Sequence, residues 1–60
     1  MNQSEKTKAS RLLSEVISRC AQAMVTLNKP EGFDDLELMH LRSSMEQLGH
    51  VIEMVKSDMD

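Results

Sequence analysis

Sixty residues with a formal net charge of −3, one Cys, one Phe, no Trp or Tyr, two Gly and one Pro make a single small unit. A chain this short buries too little surface to be comfortably stable without a disulfide, a metal or a partner. A lone Cys20 and the lack of Cys/His ligand spacing exclude the first two. Few helix breakers and many Leu, Met, Ile, Val and Ala point to an all-α protein. No uncharged apolar run approaches the ~18 residues of a membrane span, and no basic start leads into an apolar stretch as in a signal peptide. A cytoplasmic protein with a reduced thiol is therefore expected.

A first helix is expected over about residues 4–28, with Ser4 as its N-cap. Its apolar residues Ala9, Leu13, Val16, Cys20, Ala23 and Leu27 are spaced 4, 3, 4, 3, 4, as in one seam of a packed helix. Leu12 widens that seam on one flank, Ile17 and Met24 on the other. Cys20 falls between Val16 and Ala23, where it is expected to pack as a small hydrophobe. Residues 1–3 have no seam position and are expected to fray.

Residues 29–33 form the expected turn. Pro30 disfavours helix at Lys29, and Gly32 supplies a residue able to take positive φ. The second helix is expected over about residues 34–57. Asp34 as N-cap places Glu37 at N3 for a capping box, and Phe33 and Leu38 at N′ and N4 for a hydrophobic staple. Asp34, Asp35 and Glu37 suit the positive end of the helix dipole and Lys56 the negative end. Leu38, Leu41, Met45, Leu48, Ile52, Val55 and Met59 then follow at spacings of 3, 4, 3, 4, 3, 4, a coiled-coil-like seam, with Val51 beside it.

The short turn forces the helices antiparallel, so residues 1–60 are read as one αα-hairpin domain. Two helices cannot enclose a core. Pairing residues whose numbers sum to about 63 sets Leu48 near Glu15, and Ile52, Val55 and Met59 opposite Arg11, Lys8 and Ser4. The apolar end of the second helix thus meets the polar start of the first. Docking of two hairpins as a homodimeric four-helix bundle would cover it, as would a different protein whose groove or helix completes the bundle. The expected dimer or partner interface comprises Leu13, Val16, Ile17, Cys20, Met24, Leu41, Met45, Leu48, Gly49, Val51, Ile52, Met54, Val55 and Met59. Gly49 belongs there because a glycine in a helix costs about 1 kcal/mol relative to alanine unless something needs the space. Val51, Met54, Val55 and Met59 are read as the surface for a further protein partner.

Nothing in the sequence points to catalysis. Glu37-x-x-His40 has the spacing of a di-metal bundle motif, but no apolar-face Glu on the first helix completes it, so no metal or other cofactor is expected. Ser43 and Ser44 lack a convergent His and acid, and no Gly-rich phosphate loop is present. The two halves differ in charge. Residues 1–28 carry Lys6, Lys8, Arg11 and Arg19 against Glu5 and Glu15, a balance of +2. Residues 31–60 carry Arg42 and Lys56 against eight acids, a balance of −6.

The expected function is a non-catalytic protein–protein interaction module: a small adaptor, inhibitor or chaperone that acts as a hairpin homodimer. The alternative is a small nucleic-acid-binding regulator using Lys6, Lys8, Arg11 and Arg19. Against it stand the acidic second helix and the lack of aromatic residues for base stacking.

Overall fold

The computed structural model describes residues 1–60 as two α-helices, α1 (Gln3–Leu27) and α2 (Asp35–Met59), with no strands. The helices pack against each other as an antiparallel hairpin with extents of 45 × 15 × 15 Å.

The start of α1 lies earlier than Ser4. The Glu5 amide donates to the Asn2 side chain at 2.8 Å, and the Asn2 amide donates back to the Glu5 carboxylate at 3.2 Å. That reciprocal capping box satisfies two amides. Ser4 has only Thr7 three residues on, which cannot return the contact as Glu5 does, so Asn2 wins. Residues 1–3, which have no seam position, make other contacts: Asn2 is the cap, and the Met1 amino group is ion-paired with Asp58 at the end of α2.

The turn forms where the breakers gather. The Asn28 side-chain amide donates to the Met24 carbonyl at 2.7 Å and closes off α1. Lys29 to Gly32 then make a β-turn, with the Gly32 amide donating to the Lys29 carbonyl at 3.1 Å and Pro30 at its second position. Gly32 has φ of +67°, the left-handed region that favours glycine. Asp34 caps α2, accepting from the Glu37 amide at 2.8 Å. Only this half of the expected capping box forms. The Glu37 side chain is half-buried, and its Oε2 has no partner.

Two bonds set the register. Gln47 Nε2 donates to Glu15 Oε2 at 3.0 Å, and Arg19 Nη1 donates to the His40 carbonyl at 3.4 Å. The pairing lies within a few residues of the one read from the turn position, and it sets Ala9 across from Val51 and Val16 across from Ser44.

The line of contact between the helices is not the apolar seam. Only four residues are buried, Ala9 and Thr26 on α1 and Ser44 and Val51 on α2. Around them the half-buried positions are Leu12, Val16, Arg19 and Ala23 on α1, and Glu37, Leu41, Ser43, Gln47, Gly49 and Met54 on α2. On α1 the inward line is thus 9, 12, 16, 19, 23, 26, again alternating three and four, but with 12, 19 and 26 in place of the expected 13, 20 and 27. On α2 the line runs through 37, 44, 47, 51 and 54, about one residue N-terminal to the expected seam. Small side chains such as Ala9, Ala23, Thr26 and Ser44 let the two helices close along this line, and the Ser44 hydroxyl is satisfied by the His40 carbonyl at 3.1 Å.

Candidate interaction face

One residue along an α-helix is a rotation of about 100°. The large apolar side chains of α1 (Leu13, Ile17, Met24 and Leu27) lie one residue beyond its inward positions. Those of α2 (Leu38, Met45, Ile52, Val55 and Met59) lie one residue beyond its own. Because the helices are antiparallel, the same advance along each chain turns in opposite senses when both are viewed from one end. Both apolar stripes therefore swing to the same side of the hairpin.

The outcome is one continuous apolar face, open to solvent. Ile17 is 68%, Met45 69% and Met59 79% exposed, against 2% for Ser44 and 4% for Thr26 on the inward line. Leu13, Leu48, Ile52 and Val55 are exposed to a lesser degree, and Leu41 is half-buried at the boundary. Cys20, expected between Val16 and Ala23, is exposed on this same side, because the inward line passes through Arg19 instead.

The opposite side, built from residues one position before the inward line, is mostly polar: Lys8, Arg11, Glu15, Ser18 and Gln22 on α1, and Ser43, Glu46, His50 and Glu53 on α2, with Val25 and Leu36 as exposed apolar exceptions towards the turn. The Gln47–Glu15 bond lies towards it. Its turn end holds a cleft of about 330 Å³ lined by Arg19, Gln22, Lys29, Phe33, Leu36, Glu37 and His40 among others. Phe33, expected to be the staple of α2, is one wall of this cleft.

The structure places the expected interface residues in three settings. Leu13, Ile17, Cys20, Met24, Met45, Leu48, Ile52, Val55 and Met59 are on the open face. Val16, Leu41 and Met54 are half-buried, and Val51 is buried beneath α1, so the surface imagined from Val51, Met54, Val55 and Met59 is split between inside and outside. Gly49 borders the apolar face, and a Cβ added there would meet nothing within 4 Å. The close helix approach expected at this glycine is thus not made within the hairpin.

The four basic residues are not gathered. Lys8 and Arg11 line a shallow depression with Gln3, Ser4 and Thr7 on the polar side. Lys6 is exposed at a helical position on the apolar side, and Arg19 is half-buried with its guanidinium on the His40 carbonyl. The role of Arg19 as an interhelical tie was invisible in the sequence, where it reads as one more solvated cation. No group of three or more His, Cys, Asp and Glu side chains is arranged to hold a metal ion, and neither helix is long and apolar enough to cross a membrane.

No family model, characterised protein or solved structure matches the chain. Its chemistry has to be read from the faces themselves. A polar side and an apolar side about 45 Å long, with the helices held together by small residues, is an arrangement that can bury surface against another helical layer.

Proposed function

We propose that this chain is a non-catalytic protein–protein interaction module, a helical hairpin that associates with a second copy into a four-helix bundle and acts by binding another protein, as a small adaptor, inhibitor or chaperone. A reducing cytoplasm suits the exposed thiol of Cys20.

The observation that carries this reading is the outward placement of the apolar seam. Monomeric proteins rarely leave a contiguous apolar patch of this length uncovered. Each Leu- or Ile-sized side chain covered by a second layer contributes roughly 1.5–3 kcal/mol. The inward contact, with Ala9 and Val51 as its only buried apolar residues, has little to offer by comparison. Nucleic-acid binding draws less support, because only Lys8 and Arg11 of the four basic residues share a surface, and no aromatic ring stands near them.

The test is the solution mass of the pure protein across a dilution series, with helicity followed by circular dichroism. A dimer whose helicity falls together with its mass is the expected result. A fully helical, cooperatively unfolding monomer at all concentrations would overturn the proposal.

A further inference from the structure

Building on the dimer just proposed, we infer that the second copy lies antiparallel on the apolar face, the turn of one hairpin over the chain termini of the other, with α2 packed along α2.

The two ends of the face are unlike. At the turn end both helices contribute large apolar side chains. At the open end α2 still offers Ile52, Val55 and Met59, but α1 brings Lys6 and Ser10 to that side. If the second hairpin lay turn over turn, each open end would meet another open end, and the apolar tail of each α2 would again face the polar start of an α1. Reversing the second copy sets the apolar tail of each α2 along the apolar start of the other α2 instead. The α2 seam is nearly symmetric about Leu48, so antiparallel α2 helices bring Leu38 level with Met59, and Met45 level with Ile52, of the other copy.

The same shift sets the apolar half of α1 at the level of the α2 tail. With the register of this hairpin, Leu13, Ile17, Cys20 and Met24 fall within about two residues of the levels of Leu48, Ile52, Val55 and Met59 of the second copy. The surplus of one helix covers the surplus of the other.

Space agrees with this order. Gly49 lies next to Leu48, where the two α2 helices cross, and the room beside its missing side chain is free. A face of 45 by 15 Å is roughly 680 Å², close to the ~800 Å² that each partner of a standard interface contributes.

The test is a distance. A Cys20→Ser, Glu31→Cys chain carries a single spin label on the exposed turn, away from every packed face. In the antiparallel dimer the two labels stand at opposite ends of the bundle, about 45 Å apart. A distance of about 20 Å, set by neighbouring helices in one bundle, would overturn the antiparallel order while leaving the dimer intact. A monomeric mass with no label–label coupling would overturn both the order and the dimer.

Discussion

The two sides of each helix make an instructive contrast. The line between α1 and α2 is small and partly polar, with Ala9, Thr26, Ser44 and Val51 buried and Arg19, Glu37 and Gln47 half-buried around them. The face turned to one side of the pair is large and apolar. A hairpin stabilised from within would show the reverse, since burying the larger side chains removes more apolar area from water. The difference teaches that closure of the two helices and burial of the apolar residues are separate events. Small residues permit the first, and only a further layer can accomplish the second.

The sharpest way to break that contrast is to put a charge on the outward face. Ile52→Asp is expected to destabilise the associated state by at least about 3 kcal/mol, because two carboxylates would enter an apolar layer without partners. Sedimentation and circular dichroism should show a monomer of reduced helicity. An unchanged dimer would show that the seam is not the covered surface.

Next in size is Ser44→Leu on the inward line. With this residue 2% exposed, a larger side chain is expected to push the helices apart at a cost of about 1–3 kcal/mol, read as a lower midpoint of urea unfolding. If the chain instead packed with its large apolar seam inward, position 44 would lie at the edge and the substitution would be nearly neutral. Opposite behaviour of the two variants would reverse the assignment of inside and outside.

Asp34→Ala removes the oxygen that accepts from the Glu37 amide and is expected to cost about 1 kcal/mol, measured by thermal unfolding. Smallest is Gly49→Ala. Helix propensity alone favours alanine by about 0.8–1 kcal/mol, and nothing within the hairpin obstructs the new methyl group. The dissociated chain is expected to gain helicity while the dimer gains nothing or weakens. A dimer strengthened by the full amount would show that Gly49 is open in the assembly as well.

Much of the architecture was legible in the residues. Pro30 and Gly32 located the turn, Asp34 marked the start of α2, and the three-four spacing identified both helices. The cap of α1 was misread because Ser4 is a good cap by residue type, whereas Asn2 wins through its reciprocal bond with Glu5. The apolar, periodic stripes were legible as stripes, but their side of the hairpin was not foreseen, and neither was Arg19 bonding across to α2. Periodicity reports that residues share a stripe. It is silent on which neighbour the stripe meets.

That division has a physical cause. Helix type, length, caps and the antiparallel return are local, set by dihedral preferences, nearby hydrogen bonds and the length of the turn, so the sequence by itself determines them. The rotation of each helix about its own axis is decided by packing between elements distant in the chain. Here two lines compete on α2, a large apolar one and a smaller one about 100° away, and only the tertiary structure shows that the small one faces α1. The large one is thereby left facing solvent.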